Sequence, residues 1–274
     1  MAKNDIYATG ISGTIGKYFE KNVKGIDIDL SSSSSEFQQL KLSEGSTIIH
    51  LGAVVGETLV QEDKTYAFKV NVQGTRNLGE VASNSGCNKF VYISTSHVYS
   101  GKNSPIAESD LLEPKSFYAQ TKLEAETAII DALSQSDVEL TILRVFSILD
   151  WGMPPFTLGG VVERIIHGEN LSISNGDDER DFLTPQTIAS IILKLVEINK
   201  LPPVINLCSA KPTTVFEAAS EMFRLAEADY SSRIIPGHSA LPRFVGDNSL
   251  LKALLPHEKY EWKLSTYQVQ SKQR

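Results

Sequence analysis

At 274 residues, 41% hydrophobic and 22% charged, the chain has the make-up of an ordinary globular protein, with room for one large α/β domain or for a main domain and a smaller lobe. A net charge of -7 argues against nucleic acid as the main ligand, because a phosphate backbone is met by a basic surface, yet it leaves room for one basic pocket around an anionic metabolite. Cys87 and Cys208 cannot build a disulfide framework and read as thiols of a reducing compartment. No Cys/His cluster has metal-ligand spacing, no apolar run reaches membrane-spanning length, and the opening MAKNDIYATG carries no apolar signal region. The expectation is a cytoplasmic protein with no metal, no membrane and no nucleic acid.

In chain order, Asp5–Thr9 is a short strand that runs into a glycine-rich turn. Ile15, Tyr18 and Phe19 then recur at helical spacing and predict a helix from Ile15 to about Asn22, short for its place. Val23–Leu30 reads as a second strand, and the serines at Ser31–Ser35 as a mobile loop or a helix entry. Thr47–Leu51 (TIIHL) has the length of a buried strand, Tyr66–Ser83 that of a long helix, and Lys89–Ile93 (KFVYI) is a further buried strand. A helix beginning at Tyr118 and the strand Leu140–Phe146 complete the alternation. Strands alternating with helices predict α/β architecture, a Rossmann-like doubly wound parallel sheet, over residues 1–150. Beyond about residue 150, Pro154, Pro155, Gly159, Gly160, Pro202 and Pro203 interrupt the pattern. Residues 151–274 are therefore expected to form mainly a small C-terminal substrate-binding lobe, with some segments returning to the main sheet.

Three constellations carry chemistry. Thr9-Gly10-Ile11-Ser12-Gly13-Thr14-Ile15-Gly16 lies between a strand and a helix, where glycines let backbone close on a pyrophosphate and the helix start offers free N–H groups. The alternative is a purely structural turn. The acid that such a site uses for the adenosine ribose would be Asp27 or Asp29, and the choice between NAD and NADP stays open. Second, Ser94-Thr95-Ser96-His97-Val98-Tyr99 follows a buried strand at its carboxyl end, where open parallel sheets bind ligands; the alternative is a loop that satisfies its own backbone. Third, Tyr118 and Lys122 stand four residues apart on one helix face, and a lysine beside a phenol favours the phenolate. Alone this spacing is also compatible with a chance pairing on a solvated face.

Taken in order, TGISGTIG, IIHLGA (Ile48–Ala53), NVQGTRNL (Asn71–Leu78), VYISTSHVYS (Val91–Ser100), YAQTKLEAE (Tyr118–Glu126), LRVF (Leu143–Phe146), ERDF (Glu179–Phe182), VINLCSAKPTTV (Val204–Val215) and VGDNSLLKALL resemble the extended short-chain dehydrogenase/reductases. Within these, they are similar to the NAD-dependent epimerase/dehydratase type that acts on nucleotide sugars. The resemblance implies that Thr95 hydrogen-bonds the sugar oxygen, Tyr118 exchanges a proton with it, and Lys122 holds the nicotinamide ribose and lowers the Tyr118 pKa. It implies that Gly10, Gly13 and Gly16, with Ser12, Thr14 and Ile15, line the pyrophosphate of NAD or NADP. Leu51, Gly52 and Ala53 would face the adenosine-side ribose, and Asn71, Ser94 and Phe146 would complete the cofactor contacts. Ser96 and His97 would flank the nucleotide-sugar substrate, and Arg180, joined by Arg243, would bind its diphosphate; for Arg180 the alternative is an ion pair with Asp177, Asp178 or Asp181.

The departures narrow the reaction. Where the 4,6-dehydratases carry an Asp-Glu pair after the threonine, this chain has Ser96 and His97, which argues against dehydration. His97 could act as an acid or base, or simply be a hydrogen-bonded loop residue, while His167 reads as structural. LTPQTIAS stands in place of an acidic stretch, and Ser147 in place of an asparagine. The implied activity is that of a 4-ketoreductase or a 4-epimerase, with the short chain favouring the reductase. A non-catalytic dinucleotide-binding sensor or scaffold is the alternative. By analogy with the family, where helices Tyr66–Ser83 and Tyr118–Leu133 often form a dimer interface, a homodimer is the expectation.

Overall fold

The computed structural model describes residues 4–240 and 243–267. Strand β1 (Ile6–Thr9) enters the glycine turn, and the helix expected to follow as far as Asn22 is a single 3-10 turn, Gly16–Tyr18. The chain leaves that turn extended at Phe19, so that the neighbours Tyr18 and Phe19 both reach the core, which one stripe of a helix does not provide. β2 (Val23–Gly25) is likewise shorter than Val23–Leu30: the register with β1 ends at Gly25, the Ile26 amide still donates to the Ala8 carbonyl at 2.8 Å, and Ile26, Ile28 and Leu30 pack on the core. The serine run is a helix entry. Ser33 and Glu36 cap α1 (Ser34–Phe37) reciprocally, and Phe37 is buried beneath it.

β3 (Thr47–His50) leads through α2 (Glu57–Glu62) and α3 (Lys64–Phe68) into a π-helical turn, Lys69–Gln73, and then α4 (Gly74–Asn84). The expected long helix therefore exists, but with one widened turn in it. β4 (Lys89–Thr95), α5 (Phe117–Leu133), β5 (Glu139–Val145) and the two-residue β6 (Ser147–Ile148) follow. Then come α6 (Leu158–Ile166), β7 (Glu179–Leu183), α7 (Pro185–Leu195), β8 (Val204–Leu207), β9 (Pro212–Thr214), α8 (Val215–Leu225), β10 (Arg243–Phe244) and α9 (Ser249–Leu254). The segment LTPQTIAS proves to be a capped helix start: Thr184 accepts the Thr187 amide and Pro185 occupies the first helical position.

Six strands form one parallel sheet in the order β2-β1-β3-β4-β5-β8. Both faces are covered, as a parallel sheet requires. Ile49, Val91, Leu143 and Ile205 meet α7 on one side; Ile48, Phe90, Tyr92 and Ile142 meet α4 and α5 on the other. Gly79 lets these two helices touch, since a Cβ there would lie 2.4 Å from Ile129 Cδ1. β7 pairs in parallel with β6 and β10 and antiparallel with β9, and a separate apolar core, including Leu149, Val162, Phe182 and Met222, gathers residues from 149 onward. β8 returns to the main sheet beside β5. Because β1 connects outward to β2 while β3 connects the other way to β4, the sheet has a switch point between β1 and β3, the place where such sheets bind ligands. Among the described residues no helix is long and apolar enough to cross a membrane.

Candidate active site

The turn after β1 closes on itself. The Gly13 amide donates to the Gly10 carbonyl at 3.0 Å and that of Lys17 to Gly13 at 3.1 Å. Gly10 sits at φ +66 with the Gly52 amide nitrogen 2.9 Å from where its Cβ would be, and a Cβ on Gly16 would lie 2.3 Å from the Gly10 carbonyl oxygen. Only bare backbone fits at these two points. Among the described residues the amides of Ser12, Thr14 and Ile15 donate to no protein acceptor. A tight turn with outward N–H groups at a sheet switch point fits a dinucleotide pyrophosphate. Asp27 stands exposed past the end of β2, whereas Asp29 is committed to its own turn, accepting the Ser31 amide at 2.8 Å.

Across the switch point, a buried chain of polar groups supports Leu51–Ala53. Thr75 donates its one hydroxyl proton to the Asn71 carbonyl at 2.6 Å, so its oxygen accepts from His50 Nε2 at 2.9 Å. His50 Nδ1 is then the acceptor for the Thr9 hydroxyl at 2.6 Å, and Thr9 accepts the Gly52 amide at 3.0 Å. Burial, with the Lys122 charge adding to it, drives the His50 pKa down to about 3, so the ring is neutral, as this sequence of donors demands. Asn71, in the π-helical turn, exchanges hydrogen bonds with Val54 at 2.8 and 3.0 Å and donates to Thr121 at 3.1 Å. Its side chain is thus engaged by protein, and its effect on a cofactor would pass through residues 51–54. His50 and Thr75 were not expected; a histidine inside the apolar run TIIHL was the signal.

At the carboxyl end of β4, Thr95 is buried, its hydroxyl oxygen accepts the His97 amide at 3.3 Å, and it stands beside the half-buried Tyr118 phenol. Burial pushes that phenol up to about 12, with the Thr95 hydroxyl pulling the other way. Lys122 is 3% exposed; its Nζ donates to the Ile93 carbonyl at 2.7 Å and lies 4.2 Å from the centre of the Tyr92 ring. Burial lowers its pKa to about 7 against the opposing pull of Glu126. The expectation that Lys122 lowers the Tyr118 pKa is therefore corrected: desolvation dominates both groups, and the lysine charge is turned to the β4 backbone and to Tyr92.

The Ser94 hydroxyl is engaged by protein: it donates to Glu126 at 2.5 Å, while Arg144 grips the same carboxylate from Nε at 3.1 Å and Nη2 at 2.6 Å. Ser94 and Arg144 are register partners on β4 and β5, so two strands and α5 are clamped together one helical turn behind Lys122. Phe146 lies in an aromatic cluster with Tyr99 and Phe244, at ring distances of 6.5 and 6.0 Å.

On the other wall, Ser96 is buried in its 3-10 turn, whereas His97 is open to solvent with its ring stacked on Phe244 at 5.6 Å. Packing around it, then the charge of Arg180, hold the imidazole below its ordinary range. Arg180 donates to Asp178 at 2.7 Å, one of the ion pairs weighed for it. The register sets Arg180 beside Phe244 and Arg243 beside Glu179, so the two arginines leave β7 and β10 on opposite faces and do not form one fork. Arg243 pairs with Glu179, and its Nε is buried without a partner among the described residues. Asp181 is wholly buried and accepts from Ser209 (2.7 and 2.6 Å), Ala210 (2.9 Å) and Gly246 (3.2 Å), which ties β7 to the segments after β8 and β10. His167 closes α6 and meets the Tyr267 hydroxyl at 3.3 Å. No group of metal-binding side chains occurs among the described residues.

Over residues 6–208 the chain matches the NAD dependent epimerase/dehydratase family. It is 24% identical over 248 residues to the GDP-6-deoxy-D-mannose reductase of Pseudomonas aeruginosa, covering 82% of this chain and 81% of that one. It is 30% identical over 245 residues to UDP-glucose 4-epimerase 4 of Oryza sativa subsp. japonica, covering 79% and 64%. It spans only 46% to 60% of the length of several other relatives. Among solved structures it superposes on MoeE5 in complex with UDP-glucuronic acid and NAD with a TM-score of 0.80, at 20% identity and over 95% of both chains.

Proposed function

The chain belongs to the NAD dependent epimerase/dehydratase family, and from that premise we propose that it is an NAD(P)-dependent oxidoreductase of a nucleotide sugar, a 4-ketoreductase or 4-epimerase. The observation that carries this is the meeting of Thr95, Tyr118 and Lys122 at the carboxyl end of β4, on the same edge of the sheet as the Gly10–Gly16 turn. A nicotinamide dinucleotide bound there would supply or take up the hydride. The amides of Ser12, Thr14 and Ile15 would hold its pyrophosphate, Asp27 and the Leu51–Ala53 segment its adenosine ribose, and Lys122 its other ribose.

The protein's own part is orientation and proton transfer. With its pKa pushed up to about 12, the Tyr118 phenol keeps its proton at neutral pH, the state that donates to a carbonyl oxygen as the carbon is reduced. The Thr95 hydroxyl, beside the phenol, would hold the same oxygen. This favours the ketoreductase, as does the even coverage of the reductase, 82% and 81%, against the 64% of the epimerase. Arg180, His97 and Phe244 would form the wall for the diphosphate and sugar. The buried Ser96 and the cationic neighbourhood of His97 leave no carboxyl pair there for dehydration.

The test is nucleotide analysis of the purified protein, then titration with NADH and NADPH and assay on UDP- and GDP-linked 4-keto sugars. Expected are binding of one dinucleotide and turnover that Tyr118→Phe abolishes without loss of fold. A protein that binds neither, or a fully active Tyr118→Phe, refutes the proposal.

A further inference from the structure

Helix α5, which carries Tyr118 and Lys122, is capped twice. Its own N-cap, Ser116, accepts the Ala119 amide at 3.1 Å. The two amides before it are served from 60 and 61 residues away: Phe117 and Tyr118 donate to the carboxylate of Glu57 at 3.3 and 3.0 Å. The other end of the Tyr118 peptide is held as well. Its carbonyl accepts the Thr121 hydroxyl at 2.8 Å, Thr121 accepts from Asn71, and Asn71 exchanges two hydrogen bonds with Val54. Lys64 adds a third tie from the same side, its ammonium 5.2 Å from the centre of the Phe117 ring. Both polar groups of the Tyr118 backbone thus lead back to residues 54–57, directly after Leu51–Ala53.

A helix start needs acceptors for its first amides, and a nearby side chain or water would serve. An acceptor from a distant segment does something more, because it makes the position of the tyrosine depend on the position of that segment. The Glu57 carboxyl is suited to the task. Burial works against its charge, but hydrogen bonds from the Gln61 side chain and from the Tyr118 and Phe117 amides outweigh it and hold the group below its ordinary range. A charged acceptor on amides makes a stronger bond than a neutral one. We infer that Glu57 is a positioning residue: it caps α5 from outside and couples the segment after β3, which on the proposed function borders the cofactor, to the placement of the Tyr118 phenol. This rests on that function for its cofactor half, while the cap itself stands on the structure alone.

The experiment is amide hydrogen exchange of wild type, Glu57→Ala and Glu57→Gln, with and without NADH or NADPH, alongside kcat and KM. In Glu57→Ala without nucleotide, exchange at Phe117 and Tyr118 is expected to rise about tenfold or more, with Ala119 unchanged. Dinucleotide should slow exchange at the Gly10–Ile15 turn in every variant, but at Phe117 and Tyr118 only where Glu57 is present. The expected kinetic split is a fall in kcat of about tenfold at unchanged KM, with Glu57→Gln intermediate because it keeps one acceptor oxygen. Unchanged exchange at residues 117 and 118 overturns the cap. Faster exchange with unaltered kcat overturns the positioning role, and a loss of dinucleotide affinity at constant kcat makes Glu57 a ligand contact instead. A wild-type protein that binds no dinucleotide refutes the proposed function and the coupling with it, while the exchange measured without nucleotide still decides the cap.

Discussion

Replacing Lys122 by methionine should change how stability depends on pH, and by an amount the structure lets one work out. Lys122 is 3% exposed, and burial brings its pKa from the ordinary 10.5 down to about 7. Unfolding returns the side chain to water and to a pKa of about 10.4. Between those values the unfolded chain binds a proton that the folded one has released, so stability rises with pH through the window, and below about 7 the folded protein bears the whole cost of a buried ammonium. A full pKa unit corresponds to about 1.36 kcal/mol, which gives a gain of about 2–3 kcal/mol for wild type between about pH 7.5 and 9.5. Methionine fills a similar volume and does not titrate. The groups facing Lys122 are Glu126 on α5, Tyr92 on β4 and His50 on β3; all are common to both proteins. Tyr118 and Tyr92 titrate above this range and His50, at about 3, far below it. Urea unfolding of both proteins without added nucleotide, at three pH values across the window, should show the wild type gaining on Lys122→Met by about that amount as pH rises. Parallel curves, within about 0.5 kcal/mol, would mean that the lysine keeps its ordinary pKa and that burial does not govern it.

Gly16→Ala would set a methyl group 2.3 Å from the Gly10 carbonyl oxygen and 2.6 Å from Ile11 Cα, both backbone atoms. A cost of about 1–3 kcal/mol in a denaturant melt is expected. Dinucleotide affinity should fall at least about tenfold in a binding titration, since the same turn presents the amides. Glu126→Gln leaves the buried Arg144 guanidinium without its counter-charge, for an expected loss of about 3–5 kcal/mol, and the double variant Glu126→Gln/Arg144→Met should recover most of it. A single variant as stable as wild type in the same melt would remove the clamp from the argument.

What could be read from the sequence was what local spacing encodes. The Thr9–Gly16 turn, the apolar strands and the four-residue step from Tyr118 to Lys122 depend on neighbours within a few positions. The expected helix after the turn failed on the adjacent aromatics Tyr18 and Phe19, which both seek the core, a tertiary demand that overrode helical periodicity. Asn71 was placed at the site by the family resemblance, but its commitment to Val54 and Thr121 follows from packing across 17 and 50 residues. Ser94 was assigned to the cofactor by the same resemblance; which way its hydroxyl turns is set by Glu126, 32 residues on. Two signals were nonetheless present. Glu126 continues the stripe of Tyr118 and Lys122 by one more turn, and Arg144 stands in the middle of the apolar run LTILRVF, where a charge requires a partner.

That partnership bears on the chemistry. Glu126 is the charge that would keep Lys122 protonated, yet its carboxylate is already gripped by Arg144 and Ser94. An anion shared with a guanidinium offsets less of the desolvation of a neighbouring ammonium than a lone anion would. The lysine accordingly settles near 7, its proton is easily exchanged at neutral pH, and it lends the phenol too little positive charge to overcome burial. Tyr118 therefore rests as a protonated phenol beside Thr95. On the proposed function, a site that begins its cycle in that state would deliver a proton to a carbonyl oxygen.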